Sequence, residues 1–159
     1  MTILPRSLRG AFLILATALS LTAAPALAYA PPAETLRITW SPGGSLIEFM
    51  QKYTEDRNKG TRYIVDGMCI SACTTILGLI PVENVCATPY GVFAFHSATQ
   101  GDTFSPVGTR LLWHVFPEHV RKMLIEKHGW DGNDPVKGEH PELIYVPATE
   151  LIPACKETK

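Results

Sequence analysis

The chain has 159 residues, with 14 basic and 15 acidic side chains, a formal net charge of −1 and 46% hydrophobic residues. That length suits one modest domain with its own core. The balanced charge argues against nucleic acid as a partner, because such binders carry a clear excess of Lys and Arg.

The first thirty residues read as an address rather than as fold. "MTILPRSLRG" carries Arg6 and Arg9 with no acid, an apolar run of 14 residues follows from Ala11 to Ala24, and "PALAYA" supplies small residues at Ala26, Ala28 and Ala30. This is the order of a secretory signal peptide. The apolar run is shorter than the ~20 residues a spanning helix needs, so cleavage after Ala28 or Ala30 is expected. Residues 31–159 then form a single domain in the periplasm or outside the cell, touching a membrane only through an uncleaved signal. Without Arg6 and Arg9, 12 basic residues face 15 acidic ones. All four cysteines (Cys69, Cys73, Cys86 and Cys155) fall in the exported part, where disulfides are favoured. Four cysteines allow three pairings, and sequence does not choose among them.

"LRITW" alternates as a half-buried strand, and "SPGG" breaks it. From Ser45, Leu46, Ile47, Met50 and Tyr53 recur at helical spacing, with Gly60 as the stop. "RYIV" predicts a short strand ending at Asp66-Gly67, and a second helix runs from Ser71 to about Leu79, before Pro81. "GVFAFH" is the next strand. A polar loop, "SATQGDTFSPVG", precedes helices at 109–116 and 117–128. After a turn-rich stretch, "ELIYV" is a last strand and "PATELIPACK" a short closing helix. Alternating strands and helices predict a layered α/β domain with mostly parallel pairing.

Three loops then fall at strand ends: Ser41–Gly44, Asp66–Ser71, and His96 onward. In a parallel α/β sheet those ends share one edge, where sites are built. A serine becomes a nucleophile beside a base, and histidine is the usual base. The oxyanion formed on attack needs backbone N–H donors. Gly43-Gly44 offers one, and Ala72, in the first turn after Ser71, offers the other. No cofactor is implied.

These motifs, "SPGG", "GMCIS" opening a helix and a strand ending "FAFHSA", resemble the Clp protease proteolytic subunit and its exported relatives. The wider superfamily includes signal peptide peptidase A and crotonase. The resemblance runs from about Leu36 to Ala98 and more weakly to Lys156. Gly67 stands four residues before Ser71, and His96 stands 25 after it, as in that family. The resemblance implies repeated β-β-α units and a serine peptidase site. Ser71 would be the nucleophile, His96 the base, and the amides of Gly44 and Ala72 the oxyanion hole. The family's catalytic aspartate precedes the final strand; here Glu142 is nearest in register, with Asp134 and Asp131 further back. The first strand–helix unit usual before "SPGG" is missing or reduced. Family members often assemble into rings, so a homo-oligomer is an implied partner beside a peptide or protein substrate.

Each residue also has a plainer reading. Ser71 suits a helix N-cap, His96 a satisfied strand-end histidine, and Gly43-Gly44 a tight turn. Cys69 and Cys73 with His96 compete as a metal site, though the close pair spacing of zinc sites is absent. The usual redox spacing of two intervening residues is absent as well. A structural disulfide or buried thiols fit better. The functional expectation is an exported serine hydrolase acting on peptides. The alternative is an inactive fold of the same kind, serving as a periplasmic binding protein.

Overall fold

The computed structural model describes residues 33–134 and 143–156, so the expected leader at 1–30 lies outside the described residues. In chain order the elements are β1 (Thr35–Ser41), α1 (Leu46–Lys59), β2 (Arg62–Ile70), a 3-10 turn (Ser71–Thr75) and α2 (Ile76–Leu79). β3 (Val85–Ala87), β4 (Val92–Phe95), β5 (Thr99–Gln100) and β6 (Thr103–Phe104) follow. Last come α3 (Pro106–Val115), α4 (Glu118–His128), β7 (Ile144–Pro147) and a 3-10 turn at Ala148–Glu150.

β2 is the centre of the sheet. β1 runs parallel along one side of it, while β3 and then β4 run parallel along the other. β7 closes the order β1-β2-β4-β7 as an antiparallel edge strand. The chain is therefore α/β with a mostly parallel, mixed sheet and flanking helices. Alternation sets the buried face. Tyr63, Val65 and Cys69 of β2, Phe93 and Phe95 of β4, and Ile144 and Val146 of β7 are buried together. Tyr53 of α1, Ile76 of α2, Leu112 of α3, and Val120 and Leu124 of α4 join them in one core. Each fully buried side chain of this size contributes about 1.5–3 kcal/mol. Tyr53 packs edge-on to Tyr63 with centroids 5.4 Å apart, and Phe95 does so with Phe116 at 5.3 Å.

Local chemistry explains most boundaries. The Ser45 hydroxyl caps α1 by accepting from the Glu48 N–H, and Gly60, at φ +71, ends it in the left-handed conformation that glycine tolerates. Two strand and loop expectations change. β2 does not stop at Asp66-Gly67 but continues to Ile70, with an irregular register opposite Ile38–Trp40. Gly67 permits this, since a Cβ there would lie 1.9 Å from the Thr39 carbonyl oxygen. The polar loop after His96 holds a small hairpin, β5–β6. α3 begins at Pro106, not Thr109, because the Ser105 hydroxyl accepts from Gly108 N–H at 3.2 Å and caps it. The second helix is tighter than expected at its start, a 3-10 turn leading into α2. The expected closing helix is only the 3-10 turn at Ala148–Glu150, after which the tail pairs with Ala87 through Ala154.

Candidate active site

Strand register brings the three loops to one edge. Ile70, the last residue of β2, pairs with Ala94 of β4, so Ser71 and His96 leave adjacent parallel strands at neighbouring levels. On the other side Ser41 ends β1 opposite Cys69, and Pro42-Gly43-Gly44 turns off beside the same strand end.

Ser71 holds φ +58, alone among the described non-glycine residues in having a positive φ. A left-handed L-residue costs roughly 1–2 kcal/mol, and such outliers persist where surrounding structure fixes them. The surroundings here are specific. Gly43 lies so close that a Cβ on it would fall 2.6 Å from Ser71 Cβ and 2.7 Å from the Ile70 carbonyl oxygen. Thr74 Oγ1 donates to the Ser71 carbonyl at 2.6 Å, and Thr75 Oγ1 to that of Ala72 at 2.7 Å. A disulfide joins Cys69 to Cys73 across the turn, Cα to Cα 5.3 Å, with both cysteines fully buried. Tyr53, also buried, directs its hydroxyl to the Cys73 carbonyl at 3.3 Å. Burial, helped by the nearby Asp56 charge, drives the Tyr53 phenol well above its ordinary range, so it is a neutral donor.

The cap reading of Ser71 does not hold. The 3-10 turn has Ile70 at its cap position and no side-chain cap hydrogen bond. Among the described residues, no hydrogen bond engages the N–H of Gly44 or of Ala72. The Ala72 amide directly follows the serine, and the Gly44 amide follows Gly43, the glycine packed against it; an oxyanion hole needs unengaged N–H groups of this kind.

His96 is half-buried, and its Nδ1 lies 2.7 Å from the Ser97 carbonyl oxygen. A carbonyl can only accept, so this contact places the hydrogen on Nδ1 and leaves the Nε2 lone pair of a neutral ring for base work. Among the described residues no hydrogen bond joins His96 to Ser71. Among the described residues no side-chain acid meets the ring either. The Asp134 carbonyl accepts from Ser97 Oγ at 3.3 Å and from Trp130 Nε1 at 2.9 Å, but its carboxylate stands exposed. The Asp131 carboxylate is held within its own turn by the Asn133 backbone N–H and side-chain amide, which together keep its pKa below the usual carboxylate range. Glu142 and His140 lie outside the described residues. His119 is elsewhere, with Nε2 3.3 Å from the Leu151 carbonyl.

The metal reading loses its ligands, since Cys69 and Cys73 are consumed in a disulfide and Cys86 is bonded to Cys155. Among the described residues no three His, Cys, Asp or Glu side chains gather to hold a metal ion. No helix among them is long and apolar enough to cross a membrane. Two disulfides in one small domain belong to an oxidising, exported setting. Sequence reasoning missed the Ser97 carbonyl and the Tyr53 anchor; a backbone acceptor carries no residue-type signal, and Tyr53 is read from sequence only as one position of a helical spacing. The chain matches no protein-family model, no curated protein and no solved structure. Fold and site together describe an α/β domain with a strained serine at a strand-to-helix turn.

Proposed function

We propose that this chain is a serine hydrolase of the periplasm or cell exterior, acting on peptides, with a site of the Clp protease and crotonase kind. Ser71 attacks the substrate carbonyl, and His96 takes its proton through Nε2. The amides of Gly44 and Ala72 hold the oxyanion. The observation that carries the reading is the left-handed Ser71 at the end of a central parallel strand, pressed by Gly43 and making no cap. A serine needed only for packing would gain nothing from that conformation. The Ser97 carbonyl takes the orienting place that a carboxylate fills in a triad, and Glu142 stays the candidate for an added acid.

A second reading, a binding protein of the same fold without catalysis, is favoured by one observation. Ser71 and His96 are not hydrogen-bonded. Fluorophosphonate labelling of the folded, exported protein separates the two. Labelling lost in Ser71→Ala and His96→Ala supports the hydrolase, and a folded wild type that does not label supports the binding protein.

A further inference from the structure

The Cys69–Cys73 disulfide brackets Ser71 symmetrically, two residues before it and two after. Its ends sit in different frames. Cys69 lies in the sheet, opposite Ser41 of β1 and Phe93 of β4. Cys73 lies in the 3-10 turn, its carbonyl and sulfur both within reach of the Tyr53 hydroxyl on α1. The bond therefore ties the end of β2 to the start of the helical segment, across the one described residue that is not glycine and holds a positive φ. The helical segment has little of its own to hold it there. Its first turn has no side-chain cap, and α2 adds only four residues. Without the crosslink, relaxation of Ser71 toward ordinary backbone angles is opposed by two threonine hydrogen bonds, the Tyr53 hydrogen bond to the Cys73 carbonyl, the burial of Ala72–Thr75 and the Gly43 contact, none of which ties the strand end covalently to the turn.

We infer that oxidation of Cys69 and Cys73 locks the Ser71 turn into its working shape, so that the chain is idle while reduced and becomes competent after export. The inference rests on Ser71 as the nucleophile. Activation is a thiol–disulfide exchange with a disulfide-bearing oxidant. The Cys69 Sγ–Cys73 Sγ bond forms, the oxidant's S–S bond breaks, and two electrons and two protons leave with it as two thiols. A reducing compartment keeps the pair as thiols. The lock is thus set by location. Both sulfurs are fully buried once bonded, so the folded, oxidised protein resists casual re-reduction.

The test compares purified wild type with Cys69→Ala/Cys73→Ala and with Val120→Ala, a core truncation on α4, outside the turn in sequence, that lowers stability while leaving the disulfide in place. The readouts are fluorophosphonate labelling rate and amide hydrogen exchange at Ala72–Thr75. Closure of the five-residue loop weights the closed turn by at most about 30-fold, so the folded double variant, its turn now open, should label more slowly by up to that factor, and the amides of Ala72–Thr75 should lose their protection. Val120→Ala should label like wild type. A folded double variant with wild-type labelling and exchange overturns the inference. Should the double variant fail to fold, wild type is reduced in graded steps and alkylated. Mass spectrometry then selects molecules open at Cys69 and Cys73, and exchange at their turn decides in the same way. A wild type that does not label refutes the hydrolase reading and not the lock. In that case, faster exchange on reduction supports the lock, and unchanged exchange refutes it.

Discussion

Alanine at Gly43 tests the contact that defines the candidate site, and Gly101 supplies its internal control. Both glycines hold positive φ, +83 and +60, so alanine meets the same left-handed penalty at each, about 1 kcal/mol. They differ in space. A Cβ at Gly101, on the β5–β6 hairpin, has nothing within 4 Å, whereas one at Gly43 falls 2.6 Å from Ser71 Cβ and 2.7 Å from the Ile70 carbonyl oxygen. Those neighbours are backbone and Cβ atoms, which cannot swing aside as a side-chain tip would. Overpacking of this kind adds about 1–3 kcal/mol. Gly43→Ala should therefore lose about 2–4 kcal/mol, against about 1 for Gly101→Ala. Denaturant titration with linear extrapolation measures both, and probe labelling should fall only in the Gly43 variant. If the two variants lie within about 0.5 kcal/mol of each other, the glycine turn is not pressed against Ser71. The oxyanion assignment to Gly44 would then lose its footing.

Three further outcomes follow from single features of the structure. Replacing Ser71 by Gly rather than Ala removes the hydroxyl in both cases but relieves the left-handed backbone only in the first. Ser71→Gly should therefore be more stable than Ser71→Ala by about 0.5–1 kcal/mol in urea titration, and equal stability would remove the case for strain. The Cys86–Cys155 bridge closes a far longer loop, with a sequence separation of 69 against 4. On loop-closure entropy, Cys86→Ala/Cys155→Ala should lose about 4 kcal/mol and the Cys69/Cys73 pair about 2, and the reverse order would contradict that account. Asp56 is buried on α1; burial pushes its pKa up, but hydrogen bonds from Lys52 and Tyr63 outweigh it and hold the carboxyl below its ordinary range. The unfolded chain thus binds that proton first as pH falls. The contribution of Asp56 is complete above the unfolded value near 3.8 and disappears below the folded one. Asp56→Asn should flatten that limb of the stability–pH profile, and an unchanged limb would refute the assignment.

Side-chain patterning made the central elements legible. Alternation in "LRITW" and the helical spacing after Ser45 correspond to β1 and α1, and Ser45 and Gly60 stand at the two ends of α1. The ends of β2 were harder. Asp66-Gly67 carries the composition of a turn, yet Gly67 serves a close approach of the Thr39 carbonyl inside a continuing strand. A glycine needed for space and one needed for a turn look alike in sequence. β5 and β6 are two residues each, too short to show a period. At the site, the order of Gly43, Ser71 and His96 along the chain pointed to one sheet edge, and register brings them there. The disulfide pairing was closed to inspection because it depends on which cysteines the fold brings together. Cys69 and Cys73 meet because a strand ends and a helical turn begins between them.

The His96 contact bears on how such a site works without a described acid. An orienting partner in a Ser-His arrangement does two separable things: it fixes the tautomer, and its charge stabilises the imidazolium that forms. The Ser97 carbonyl does the first fully, because it accepts and cannot donate. It does the second only as a dipole, without the charge of a carboxylate. A hydrolase site built this way would have the tautomer of its base set, while the protonated ring would receive less stabilisation. Acylation by an activated probe, with a good leaving group, leans little on that stabilisation, whereas cleavage of an unactivated amide leans on it heavily. Wild type and Glu142→Gln should therefore label alike and differ, if at all, only in turnover of an amide substrate. Loss of labelling in Glu142→Gln would show that a carboxylate sets the tautomer and that the Ser97 contact does not.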